Sequence, residues 1–161
     1  MKNIHVRTAK SADHHWLVKA IADEQEHEHT LHDTRKPGAE VAKPYLAHLK
    51  ESVSQKSGVI LVAEIGGTFA GYAACWIEQG NVLTETDDSN RSGYVADAYV
   101  VPALRGSGIA GKLLKSAEAH LRALGASRMR IGVLANNSSA RRAYEKYGFV
   151  PYEFVLEKKL T

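Results

Sequence analysis

The chain has 161 residues, 44% hydrophobic and 24% charged, with a formal net charge of +3. That length and composition suit one globular domain, expected to span residues 1–161, and leave little room for a second core. The charge is too mild and too scattered for a nucleic-acid stripe, and the lone Cys75 excludes a disulfide framework or a cysteine metal centre. Charge interrupts Met1–Arg7 before an apolar leader could form, and the uncharged run Phe69–Ile77 is far short of the roughly 20 residues of a membrane helix. No membrane association and a reducing cytoplasm are therefore expected.

Residues 3–8 read as a short strand. Ser11 offers an N-cap, and Trp16, Leu17, Ala20 and Ile21 form a helical stripe that gives way to a polar stretch, Glu24–Thr34. After Pro37-Gly38 a second helix is expected from Pro44, with Tyr45, Leu49 and Val53 on one face. Val59–Ala63 is a buried strand, Gly66-Gly67 a hairpin turn and Thr68–Ile77 its partner strand. A polar loop, Asn81–Ser92, leads to a strand over Tyr94–Val101. Ile109, Leu113, Ala117, Leu121 and Leu124 then line a helix stopped by Gly125. A strand over Met129–Leu134, a helix opened by Asn137 and closed by Gly148, and a closing strand or strands within Phe149–Leu160 complete the order β-α-α-β-β-β-α-β-α-β.

Between strand and helix lies Arg105-Gly106-Ser107-Gly108-Ile109-Ala110-Gly111. Backbone amides at a helix start lack intrahelical partners, and glycines let a ligand approach closely, so this turn is expected to cradle a diphosphate. The string also satisfies G-x-G-x-x-G. A dinucleotide site is disfavoured, because Pro102–Arg105 separate the glycines from the strand and the acid expected about 20 residues later is absent from Ala126–Arg130.

The segment Val100–Ala110, with Arg105, Gly108 and Ala110 at the positions of the pattern Gln/Arg-x-x-Gly-x-Gly/Ala, resembles the pyrophosphate loop of the GNAT superfamily of acetyltransferases. A second family block, Asn-x-x-Ala-x-x-x-Tyr-x-x-x-Gly-Phe, is matched by Asn137, Ala140, Tyr144, Gly148 and Phe149. The resemblance is strongest over 93–150. It implies an α/β fold: a mixed, twisted sheet with helices on both faces and splayed parallel central strands. It also divides the chain into an acceptor-side half, 1–92, and a coenzyme-binding half, 93–161.

The activity implied is N-acetylation of a primary amine, small-molecule or peptide, by direct attack on acetyl-CoA in a ternary complex, without a metal. A non-catalytic acyl-CoA-binding module on the same fold is the alternative, and a homodimer is left open. By resemblance, Ala98, Tyr99 and Val100 pair with the pantetheine arm, residues 105–111 hold the diphosphate, Asn137 contacts the coenzyme, and Tyr144 protonates the leaving thiolate. An attacking amine must lose a proton. Asp97 is the candidate base, although Ala96 stands where many members carry glutamate, and Glu64 and Glu78 remain alternatives. Cys75, inside an apolar strand, is a poor nucleophile. The cluster Glu26-His27-Glu28-His29 with His32 lacks a partner block for a metal and reads as acceptor wall or solvated loop, and Glu85, Asp87 and Asp88 form an acidic loop.

Overall fold

A computed structural model describes residues 3–160. It comprises β1 (Ile4–Thr8), α1 (His14–Leu31), α2 (Gly38–Gln55), β2 (Val59–Ile65), β3 (Thr68–Gln79), β4 (Arg91–Val100), α3 (Ile109–Ala123), β5 (Met129–Ile131) and α4 (Ser138–Tyr147). The five strands form one sheet in chain order, antiparallel from β1 to β4 and parallel between β4 and β5. Only the parallel pair needs a crossover, and α3 supplies it. The α/β architecture expected from the sequence is therefore present.

Each sheet face carries its own core. On one face Leu17, Ala20 and Ile21 of α1 and Leu46 and Leu49 of α2 pack on Ile60, Val62, Tyr72 and Trp76. On the other, Ile109, Leu113, Leu114, Ala117 and Leu121 of α3 pack on Leu61, Ala63, Ala73, Cys75 and Val95. The alternation of β2 and β3 divides their side chains between these two layers. Gly66 and Gly67, at φ of 58° and 78°, make the β2–β3 turn that the sequence indicates.

Three expectations are corrected. Ser11 opens a short 3₁₀ turn, Ser11–Asp13, rather than capping α1, and α1 continues through the polar stretch to Leu31. The polar side chains of that second half organise the connection to α2: Gln25 donates to the Lys36 carbonyl at 2.9 Å, and Glu26 accepts from the Gly38 amide at 2.8 Å. Consequently α2 starts at Gly38, and Pro44 lies inside it. Gly38 permits this entry, because a Cβ there would lie 2.0 Å from the Ala22 carbonyl oxygen. Third, no closing strand is paired into the sheet over 149–160, and β5 spans three residues rather than Met129–Leu134.

Beside the first core, Arg7 joins two acids from separate elements. It donates to both carboxylate oxygens of Asp13, at 2.8 and 2.9 Å, and to Glu64. The guanidinium holds the Asp13 carboxyl down at about 2. This bidentate pair fixes the start of α1 against β1 and β2.

Candidate active site

The site originates in an irregularity of β4. Ala74 pairs with Asp97, but the next residue, Cys75, pairs with Val95, so Ala96 is an extra residue in a β-bulge. Strict alternation would put Asp97 on the face of Val95, toward α3. The bulge instead brings Tyr94, Ala96 and Asp97 to one side, where all three line a cavity of about 330 Å³. Glu24 and Glu28 of α1, Tyr45 of α2 and Gly132–Leu134 beyond β5 form the rest of its wall. A larger depression, about 440 Å³, lies between α3 and residues 126–129, away from the bulge.

Within this cavity Asp97 Oδ2 is buried without a hydrogen-bond partner. Burial raises the Asp97 carboxyl from its ordinary 3.8 to about 7, assisted by the negative charge of Glu28 and partly offset by the Tyr45 hydroxyl. Glu24 accepts a 3.0 Å hydrogen bond from the Tyr72 hydroxyl, and burial, then the neighbouring Asp97, pushes its carboxyl well up. Glu28 is paired with Arg35 at 3.2 Å. Burial and the same carboxylates, Glu24, Asp97 and Glu28, raise the Tyr144 phenol, so it stays protonated at neutral pH.

The sequence singled out Asp97 and Tyr144 but missed Glu24 and Tyr45 as cavity residues. A signal for Glu24 was available. Leu17, Ala20, Ile21, Glu24 and Glu28 continue one helical stripe at spacings of three and four, so two acids occupy the core-facing side of α1. Carboxylates on an apolar stripe are costly unless a site uses them.

The other carboxylates named from the sequence are engaged elsewhere. Glu64 belongs to the Arg7 cluster. Lys56 holds Glu78 at 2.9 and 3.0 Å, and the Trp76 indole donates to it at 2.6 Å. Glu85 and Asp88 pair with Arg130 and Arg128 at 3.1 and 2.7 Å, which ties the acidic loop to the β5 region. Of the histidine-rich stretch, Glu26, His27, Glu28 and His29 are helical, and only Glu28 reaches the cavity. His32 instead gathers with Asp33 and Glu157 at the surface. Cys75 is buried and its thiol is pushed up to about 12.

Next to the cavity the parallel strands separate. Pairing of β4 with β5 ends at Val95–Ile131, whereas β4 continues to Val100 against β3 alone. Ala98, Tyr99 and Val100 therefore present a backbone edge that β5 does not cover. The Tyr99 hydroxyl is anchored to Asp23 at 3.3 Å, and Arg105 Nε donates to the Val100 carbonyl at 3.3 Å.

The glycine turn follows this edge. Ser107 Oγ donates to the Leu104 carbonyl at 2.5 Å, and Gly106 and Gly108 adopt φ of 78° and 88°. The amide of Lys112 bonds the Gly108 carbonyl at 3.1 Å, so the preceding amides of Ile109, Ala110 and Gly111 are the unpartnered donors of the α3 N-terminus. A Cβ at Gly106, Gly108 or Gly111 would meet nothing within 4 Å, so the turn faces open space. Asn137 Oδ1 caps α4 by accepting from the Ala140 amide at 3.2 Å. Tyr144, half-buried on α4, meets Phe149 edge-on at 6.1 Å between ring centroids.

A bulged strand, a splayed edge and a glycine-rich helix start together suit a long ligand with a charged diphosphate end and a reactive end beside the carboxylates. The family model "Acetyltransferase (GNAT) family" matches residues 18–149. The chain belongs to this family and is an acetyltransferase. It is 27% identical over 146 residues to the uncharacterized N-acetyltransferase YhfO of Bacillus subtilis, covering 91% of this chain and 89% of that protein. Among solved structures, a mutant of the BH1408 protein from Bacillus halodurans superposes with a TM-score of 0.85 at 18% identity, covering 98% of this chain and 99% of that one. A predicted acetyltransferase from Clostridium acetobutylicum, crystallised with acetyl-CoA, gives 0.72 at 21% identity, covering 98% and 96% of the two chains. Among the described residues no helix is long and apolar enough to cross a membrane.

Proposed function

We propose that the protein transfers the acetyl group of acetyl-CoA to a primary amine bound in the Asp97 cavity, by direct attack in a ternary complex. The observation that carries this reading is the Asp97 carboxylate, with one oxygen buried and unpartnered, at the β4 bulge where the β5-free edge of that strand begins. An amine arrives mainly as an ammonium ion, and a base titrating near neutrality is matched to remove its proton.

The diphosphate would lie on the amides of Ile109, Ala110 and Gly111, with Arg105, Gly106, Ser107 and Gly108 shaping the cradle. The pantetheine arm would complete the edge left by β5 along Ala98, Tyr99 and Val100, with Asn137 on the opposite side. A β4 amide would donate to the thioester carbonyl, whose oxygen gains negative charge as the nitrogen attacks. Before that attack Asp97 takes one proton from the ammonium. The carbon–sulfur bond then breaks, the Tyr144 hydroxyl supplies a proton to the departing thiolate, and the second proton lost by the nitrogen restores that hydroxyl. The ionised Asp97, with Glu28 on the same wall, favours a cationic small-molecule or peptide amine.

The test is thiol release from acetyl-CoA with a panel of polyamines, amino acids, aminoglycosides and peptide N-termini. Acetylation of at least one cationic amine, lost in Asp97→Asn while acetyl-CoA binding persists, is the expected result. Acetyl-CoA binding without transfer to any amine would overturn it.

A further inference from the structure

The polar second half of α1 and the connection to α2 converge on one side chain, Arg35. Residues 32–37 join the two helices, and side chains from successive turns of α1 hold them. Gln25 donates to the Lys36 carbonyl, and Glu26 accepts from the Gly38 amide. His29 Nδ1 lies 2.5 Å from the Arg35 carbonyl oxygen and donates to it, since a carbonyl only accepts. The Arg35 amide donates in turn to the His32 carbonyl at 3.2 Å. Both backbone groups of Arg35 are therefore fixed, and Glu28 Oε2 steadies its Nε at 3.2 Å. Glu26, Glu28, His29 and His32 of the polar cluster thus mount this arginine.

Arg35 is the only cation among the described residues that line the Asp97 cavity. Its side chain is 42% exposed, whereas Asp97 Oδ2 is buried. The cavity is accordingly polarised by depth, with the acid inside and the guanidinium at the rim. Glu28 is the sole acid paired with Arg35 among the described residues, and the contact falls on Nε. That leaves the fork of terminal nitrogens, whose planar geometry matches a carboxylate, for a ligand. A second ammonium at this rim would meet the guanidinium, and the charge of Glu28 is already matched. The rim suits an anion.

We propose that the acceptor carries a carboxylate as well as its amine, as free amino acids do, and that Arg35 binds this carboxylate while the amine lies at Asp97. The proposal rests on the reading that the Asp97 cavity takes the acceptor. A zwitterion would enter ammonium first, drawn to the deeper acid, and the guanidinium would then hold its outer end and keep the nitrogen on the base. A cavity of about 330 Å³ lies at the small end for ligand sites, which suits so short a molecule. Arg35 contacts the end that does not react, so its grip is the same before and during acyl transfer. Its loss should act on KM rather than kcat.

The test is calorimetry on the full chain saturated with coenzyme A, which reads acceptor binding without turnover. Linear amino acids from glycine to 6-aminohexanoate are each compared with the alkylamine that lacks the carboxyl group, and 1,4-diaminobutane serves as a dication. At least one amino acid should bind about tenfold or more tighter than its matched amine. Arg35→Gln should remove that preference without weakening the amine, and in thiol-release assays it should raise KM for that amino acid with kcat within about twofold. Equal affinity of every amino acid and its matched amine would overturn the proposal. So would a preference that survives Arg35→Gln, or a diamine bound more tightly than any of the amino acids. An Arg35-dependent preference without thiol release from acetyl-CoA for any amine would instead overturn acetyl transfer and leave the carboxylate site standing.

Discussion

Replacing Asp97 by asparagine separates its cost to the fold from its use in chemistry. The carboxyl rises from 3.8 to about 7 because its burial disfavours the charged form. A raised folded-state value means that the unfolded chain loses this proton first. Stability is therefore unaffected below about pH 4, falls as pH climbs toward 7, and carries the full penalty above it. At ~1.4 kcal/mol per pH unit the distance from 3.8 to about 7 corresponds to about 4 kcal/mol, an upper figure because Glu24 and Glu28 share the site. Asparagine cannot ionise, so Asp97→Asn should gain stability relative to the parent chain as pH rises from about 4 to about 8, by several kcal/mol. Its acetyl-transfer rate at neutral pH should fall by roughly 100-fold or more. Urea unfolding at a series of pH values measures the first effect, and thiol release from acetyl-CoA measures the second. A stability difference that does not change with pH would refute the buried-carboxylate argument. Full activity at every pH would refute the base.

Three further outcomes follow from neighbouring groups. Tyr144→Phe removes one hydroxyl from a phenol held protonated, so calorimetric affinity for acetyl-CoA should persist while turnover falls roughly 10–1,000-fold. Gly108→Val places a β-branched residue at φ of 88° on the face proposed for the diphosphate; acetyl-CoA affinity should weaken by at least about tenfold, with the circular dichroism of the fold retained. Glu28→Gln removes a negative charge that raises Asp97, so the acidic limb of the pH–rate profile should move to lower pH; a limb that stays in place would show that Glu28 does not act on the base.

The motifs of the second half were legible because local geometry dictates them. A turn requiring positive φ at Gly106 and Gly108, directly before an amphipathic helix, needs glycines at set positions, and a helix start such as Asn137 needs a capping oxygen. Those constraints act over a few residues, so spacing alone displays them. The first half is less legible. The polar end of α1 looked like a loop because its partners, the Lys36 carbonyl and the Gly38 amide, lie 11 and 12 residues away. Pro44 looked like a helix start because the actual entry depends on how closely Gly38 approaches Ala22.

The sequence by itself determined the family, most of the elements and the groups available to a site: glycines before α3, a tyrosine on α4 and an acid on β4. Tertiary structure decided which face that acid presents. Period-two alternation sends Asp97 toward α3 with Val95, and only the register shift against Ala74 and Cys75 turns it into the cavity. The same packing sets Glu24 beside it and leaves Glu64 and Glu78 with Arg7 and Lys56. A carboxylate's proton affinity depends on the charges and water around it, and those are set by residues from α1, α2, β3 and β4 that are distant in the chain and meet only in the folded protein.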